Sequence, residues 1–187
     1  MDLDSALALI PTDEARARAA LQRLWAGADQ SGDAASAWQA AATALLAINL
    51  NFLDFRGSAS WCARFAAGLA AAQAGGLYER ARQGDRSALH GCAAQLVWPT
   101  LDHTALTWPD SATAQAEAAG ALAEGLRTEV SLSATERLLL AKCLLDHHGQ
   151  QMDTLAASRL MALQQEKLRD AAAEPVLLAH WWFTVMG

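Results

Sequence analysis

The apolar residues of this chain recur every three or four positions, which is the period of an α-helix rather than of a β-strand. Between residues 34 and 55, one apolar stripe contains Trp38, Leu45 and Phe52, and a second stripe begins at Leu46. A helix with two apolar stripes has neighbours on both sides, as in layered helical repeats. The pattern therefore predicts that this helix is buried between others.

Start and stop signals predict eight helices joined by short turns. Ser58 is the expected N-cap of the third helix, and Pro99 is expected to stop the fourth. Ser133 and Glu136 have the S-x-x-E pattern of a capping box, and Gly149 is expected to end that helix in a left-handed conformation. The predicted spans are about 11–30, 34–55, 58–76, 86–98, 110–127, 133–149, 153–170 and 174 onwards.

The composition supports a helical fold class. Hydrophobic residues make up 53% of the 187 residues, but only 6% are aromatic, and there are just two Ile and four Val. Strands draw on β-branched and aromatic residues, whereas Ala and Leu favour helices. The expected fold is all-α.

The spacing of helix breaks favours stacked hairpins over a globular bundle. Gly57, His103 and Gly149 are evenly spaced and each falls at a predicted break. An interval of this length suits two-helix repeats. We therefore expect a single helical-repeat domain over residues 1–187, with antiparallel hairpins stacked as a tetratricopeptide-like right-handed superhelix.

Charge and cysteine content exclude several classes of protein. The formal net charge is −6 without a cluster of Lys and Arg, so direct nucleic-acid binding is not expected. No apolar run reaches the length of a membrane span, and the acidic start is unlike a signal peptide. Three widely spaced cysteines, Cys62, Cys92 and Cys143, are typical of buried, reduced thiols. The expected location is the cytoplasm.

His147 and His148 are the most conspicuous candidates for chemistry. Adjacent helical residues point about 100° apart, so the two imidazoles are poorly placed to share one metal, for which i,i+4 spacing is preferred. His147 falls in the last turn of a helix, where an imidazolium interacts favourably with the dipole. The sequence favours a helix end, with a small metal protein or enzyme as the alternative. No catalytic residue, metal or cofactor is predicted, and the chain is not expected to be an enzyme.

Seven tryptophans against one tyrosine form the clearest excess in the composition. Core packing between Ala-rich helices is one interpretation. The other is a groove for a ligand or peptide, because interface anchors are enriched in Trp. Trp98 and Trp108 lie next to prolines at predicted breaks, where exposure is expected. The candidate groove residues are Trp61, Trp98 and Trp108.

The last predicted helix carries a broad apolar stripe, formed by Leu178, Trp181, Trp182 and Val185 among others. A terminal element of a solenoid normally has a polar outer face. We therefore expect the chain to be a fragment of a larger polypeptide or, failing that, to form a homodimer through this helix. A purely structural dimerisation module is a further alternative.

The last third of the chain carries a pattern of Leu, Ser, Glu and Gly positions followed by a Pro and two Trp. The residues are Leu132, Ser133, Glu136, Arg137, Leu144, Leu145 and Gly149, followed by Pro175, Leu178, Trp181 and Trp182. This pattern resembles the helical repeats of large bacterial signalling regulators, which include the maltotriose-responsive LuxR-type activators and the bacterial transcriptional activator domain proteins. Gln150 departs from the pattern, since an Asp usually follows the glycine.

The resemblance implies a tetratricopeptide-like superhelix and no catalytic residues. It also implies an interaction or ligand-sensing module of a cytoplasmic bacterial signalling or transcriptional regulator. Such a module would bind a protein, a peptide, a small ligand or neighbouring domains of its own polypeptide in a concave groove.

Overall fold

The structure is a computed structural model that describes residues 2–50, 57–102, 111–128 and 132–170, together with Ala179. Within these ranges every element of secondary structure is a helix, so the predicted all-α fold class is confirmed. The helices of this part of the chain are α1 (Leu3–Leu9), α2 (Glu14–Ser31), α3 (Ala34–Leu50), α4 (Ser58–Ala74), α5 (Leu77–Arg82), α6 (Arg86–Leu101), α7 (Ser111–Gly125), α8 (Ala134–Gln150) and α9 (Thr154–Asp170).

Three helices, α3, α6 and α8, pack against one another and form the centre of the fold. Each is buried around its full circumference over about two to three turns, from Ala40 to Leu46, from Ala88 to Trp98 and from Thr135 to Leu144. A helix that is buried on all sides needs small or apolar residues at nearly every position. The double stripe of α3 predicted this burial, which is confirmed.

The remaining helices surround this centre. α2 and α4 pack on α3, α5 and α7 pack on α6, and α9 packs on α8. Packing of neighbouring helices as hairpins agrees with the sequence pattern. The superhelical order stays a prediction. In a solenoid each repeat contacts only its neighbours. Here α3 also contacts α8, which is distant in the chain. None of the described helices is long and apolar enough to cross a membrane.

Local hydrogen bonds confirm several predicted helix boundaries. The Asp13 side chain accepts a hydrogen bond of 3.1 Å from the Arg16 N–H at the start of α2. Gly32 ends the same helix with a φ of 75°, where a residue with a Cβ would be strained. Both hydrogen bonds of the capping box between Ser133 and Glu136 are present at the start of α8.

Three predicted boundaries were wrong. Gly57, at a φ of 84°, is the N-cap of α4, so Ser58 is already helical and makes no capping bond. Pro99 lies inside α6, which continues to Leu101. A proline removes one backbone hydrogen bond, a loss that the last turn of a well-packed helix tolerates.

The third error concerns the end of α8. This helix runs through Gly149 to Gln150, and the left-handed residue is Met152, at a φ of 55°. The Asp153 N–H closes the turn by donating to the His148 carbonyl at 2.9 Å.

The sequence also missed the short helices α1 and α5. Each has at most seven residues, fewer than the 11 or so of the periodicity window. The predicted end of the second helix at Phe55, the predicted start of the fifth helix at Asp110 and the helix from Glu174 lie outside the described residues.

Candidate functional site

A groove of about 270 Å³ opens between α3, α4, α5 and α6. Its walls consist mostly of small residues (Ala, Gly and Ser), which allow a bound group to approach the helix backbones. The lining residues are Ala34, Ala35, Trp38, Gly68, Ala71, Ala72, Gly75, Leu77, Arg80, Ser87 and Ala88. We call this the Trp38 groove, after the aromatic residue in this lining.

Trp38 is half-buried and its ring is held by a neighbouring aromatic residue. The indole Nε1–H donates to the Phe65 carbonyl at 2.9 Å. The two rings are stacked with centroids 5.3 Å apart, and Phe65 makes an edge contact with Trp98 at 6.0 Å. The indole is therefore fixed in one orientation and leaves only part of its surface for a ligand.

Two mid-helix glycines make room for this indole. A methyl group built on Gly68 would overlap Trp38 Cδ1, and one built on Gly91 would overlap Trp38 Cη2. Isolated glycines within helical patterns often mark a close approach. The sequence contained this signal, but it did not indicate which side chain approaches.

Of the described residues that line the Trp38 groove, only Arg80 is charged. Its Nε and Nη2 donate to Asp85 Oδ2 at 3.1 and 2.9 Å. The other oxygen of Asp85 caps α6 by accepting from the Ala88 N–H at 2.9 Å. The guanidinium is thus anchored at the groove, and about half of its side chain is exposed.

Among the described residues, the lining holds no acid, histidine or cysteine that could act as a base or nucleophile. What it offers is an apolar surface, one aromatic face and one fixed positive charge. Such a combination suits binding rather than covalent chemistry.

The sequence-predicted groove residues lie elsewhere. Trp61 is only 8% exposed, and the Arg64 guanidinium lies 4.5 Å from its ring centroid and 3.8 Å from that of Trp25. Trp98 is 5% exposed, so the expected exposure was wrong. Because α6 continues past Pro99, this tryptophan stays in the core instead of entering a loop. A ligand role for either residue stays a prediction, and Trp108 lies outside the described residues.

The proposed self-association residues Leu178, Trp181, Trp182 and Val185 also lie outside the described residues. Dimerisation through them stays a prediction.

His147 and His148 lie in the last turn of α8, as predicted, with ring centroids 5.9 Å apart. The expected favourable interaction of an imidazolium with the helix dipole stays a prediction. Burial, with a smaller contribution from His148, lowers the pKa of His147, and burial lowers the pKa of His148. Desolvation therefore disfavours the charged form of both imidazoles. Within the described ranges, no group of three His, Cys, Asp or Glu side chains could hold a metal ion.

A hydroxyl, an imidazole and a carboxylate form a buried chain that the sequence did not reveal. Thr43 Oγ1 lies 2.8 Å from His90 Nδ1, and His90 Nε2 lies 3.1 Å from Glu136 Oε1. The order of groups resembles a catalytic triad. All three residues are at most 1% exposed, however, so no substrate reaches the hydroxyl. These buried contacts between Thr43, His90 and Glu136 therefore join α3, α6 and α8.

Comparisons of this chain with protein-family models, with curated proteins and with solved structures found no match.

Proposed function

We propose that this chain is a ligand-sensing module that binds a small apolar carboxylate in the Trp38 groove. The observation that carries the proposal is a partly exposed indole, held by Phe65, in a groove lined mostly by Gly and Ala. A rigid aromatic surface loses little conformational entropy on binding, which favours affinity. The resemblance to cytoplasmic bacterial regulators supports the same class of function.

The size of the groove limits what it can accept. Drug-sized ligands occupy sites of about 300–1,000 Å³, and the groove has about 270 Å³. The occupant is therefore a single aromatic ring or a short alkyl chain. Arg80 supplies the charge that would orient a carboxylate on this apolar group, since guanidinium–carboxylate hydrogen bonds are strong and directional.

The test is calorimetric titration with phenylacetate and hexanoate, using phenylacetamide as a neutral analogue. Ala71 is exposed on the wall of the groove, so Ala71→Leu fills the site without disturbing the core. Ala70 is also exposed on α4 but does not line the groove, which makes Ala70→Leu a matched control.

We expect binding to the native chain and to the Ala70→Leu variant, and a loss of about tenfold or more in the Ala71→Leu variant. The amide should bind about tenfold more weakly than the carboxylate, because it lacks the charge. Equal binding by the two leucine variants, or no binding of either phenylacetate or hexanoate, would contradict the proposal. Binding of a peptide in place of the acids would identify a protein-interaction module instead.

The two other functions considered stay predictions. A metal protein or enzyme built on His147 and His148 receives no support from the described residues, whose histidines and acids form no metal-binding group. A dimerisation module depends on the stripe containing Trp181 and Trp182, which lies outside the described part of the chain.

A further inference from the structure

Arg137 is a buried cation without a counter-charge among the described residues. Its exposed fraction is 8%, and its Nη1 atom is buried without a hydrogen-bond partner in the described part of the chain. Burial lowers the pKa of this guanidinium, although the group remains charged at neutral pH. Buried charges in proteins are normally paired with an opposite charge or hydrogen-bonded.

Gln164, on the neighbouring helix α9, has the same property. The residue is fully buried, and neither Nε2 nor Oε1 has a hydrogen-bond partner among the described residues. A buried primary amide without partners on both of its polar atoms is rare in native proteins. Two such side chains in one pair of packed helices point to a missing partner.

The connection between α8 and α9 brings Arg137 and Gln164 to similar positions along the axis of the helical hairpin. A three-residue turn joins the helices, which pack against each other as an antiparallel hairpin. Counted from Met152, at the centre of the turn, Arg137 and Gln164 differ by three positions. This difference corresponds to about 4.5 Å along the hairpin axis, less than one helical turn.

The nearest acidic side chains on α8 are already occupied. Glu136, next to Arg137 in sequence, accepts hydrogen bonds from Arg86, His90 and the Ser133 N–H. Asp146 pairs with Lys142 at 2.7 Å. No described carboxylate on α8 is therefore available to neutralise Arg137.

We propose that α8 and α9 hold a binding site for a small oxyanion that both accepts and donates hydrogen bonds. The ligand's oxygens accept from Arg137 Nη1 and Gln164 Nε2, and its hydroxyl group donates to Gln164 Oε1. Hydrogen phosphate, a phosphate monoester and a hydroxycarboxylate share this chemistry. Arg137 also lies at the N-terminal end of α8, where the helix dipole favours an anion.

The test is thermal unfolding in increasing inorganic phosphate, with ionic strength held constant by chloride. Arg137→Met removes the buried charge while keeping most of the side-chain volume. Arg159→Met removes an exposed positive charge from α9 and serves as the matched control. Glycolate replaces phosphate in one arm, and acetate, which has no hydroxyl donor, replaces it in another.

We expect phosphate to raise the melting temperature of the native chain and of the Arg159→Met variant in a saturable way. The rise should be about 5–10 °C at a hundred times the dissociation constant, and it should vanish in the Arg137→Met variant. A response to glycolate alone would support the same site with a hydroxycarboxylate as its ligand. Acetate should have little effect.

Two results would overturn the proposal. The first is a native chain that responds to neither phosphate nor glycolate while Arg137→Met melts at a higher temperature, since the guanidinium would then be buried without a ligand. The second is a response that persists in Arg137→Met or, if that variant does not fold, in Gln164→Met.

Discussion

His90 Nε2 lies 3.1 Å from Glu136 Oε1, and this contact joins two of the three central helices inside the core. The same Oε1 atom accepts a hydrogen bond from Arg86, while Oε2 accepts one of 3.0 Å from the Ser133 N–H. One carboxylate therefore completes the capping box of α8 and pairs with two side chains of α6. The start of α8 is fixed by a local and a tertiary interaction at once.

Replacing Glu136 with Gln should lower the free energy of unfolding by about 3 kcal/mol, because Arg86 and His90 then lose a buried negative partner. Urea denaturation measures the loss. Glu117, whose side chain is half-exposed and lies 2.7 Å from Arg82 Nη2, provides the control. Glu117→Gln should cost less than about 1 kcal/mol. Similar losses in both variants would contradict the special role of the buried carboxylate.

The pH dependence of stability offers a second test of this carboxylate. Burial by itself raises the pKa of Glu136, but hydrogen bonds from His90, Arg86 and Ser133 outweigh it and lower the pKa to about 2. In the unfolded chain the pKa of a glutamate is about 4.3, so the Glu136 carboxylate binds a proton more readily in the unfolded state than in the folded state. The stabilisation is therefore complete above about pH 4.3 and is lost as the pH falls towards 2.

The difference in unfolding free energy between the native chain and Glu136→Gln should accordingly shrink between pH 5 and pH 2. Denaturation curves at several pH values measure it, and the subtraction removes the contributions of other carboxylates. A difference that does not change with pH would contradict the assignment.

The glycine that faces Trp38 from α6 should not tolerate a side chain. Gly91→Ala places a methyl group against the indole, inside the core, and should cost about 1–3 kcal/mol. Gly120 lies in α7, and a methyl group added there would meet no atom within 4 Å, so Gly120→Ala should stabilise by about 0.5–1 kcal/mol. Thermal unfolding of both variants compares the two helical glycines directly. Equal effects would contradict the close packing around Trp38.

The end of α8 should respond to substitution in the opposite way from what the sequence suggested. Gly149 is helical with open space around it, so Gly149→Ala should stabilise by about 0.5–1 kcal/mol. Met152 is exposed at a φ of 55°, a conformation that costs a residue with a side chain about 1–2 kcal/mol. Met152→Gly relieves this strain and should also stabilise. Destabilisation by Gly149→Ala would indicate that Gly149 is the residue in the left-handed conformation.

The three cysteines should be unreactive in the folded protein. Burial raises the pKa of Cys62 to about 11 and those of Cys92 and Cys143 to about 12, so almost no thiolate forms at neutral pH. Labelling with an aromatic disulfide reagent should be about a thousandfold slower or more than in urea, because it requires unfolding. Rapid labelling of one thiol in the native state would indicate local opening near that residue.

The sequence by itself determined the helical class and most helix starts. These features depend on signals within a few residues of one another, such as the pairing of Ser133 with Glu136 or the double stripe through Leu45 and Leu46. The short range of these signals also explains the errors. At Pro99 the packing of α6 overrode a local stop signal, and at Met152 the turn used a residue that rarely adopts a positive φ.

Only the tertiary structure decided which side chains meet. His90 is 47 residues from Thr43 and 46 from Glu136, and Trp38 contacts a carbonyl 27 residues away. No local pattern encodes such contacts, because they depend on how the helices are arranged around one another. The Trp38 groove and the separate burial of Arg137 and Gln164 arise in the same way. Helix periodicity predicts the helix face on which each residue lies, whereas the packing of the helices determines which faces contact one another.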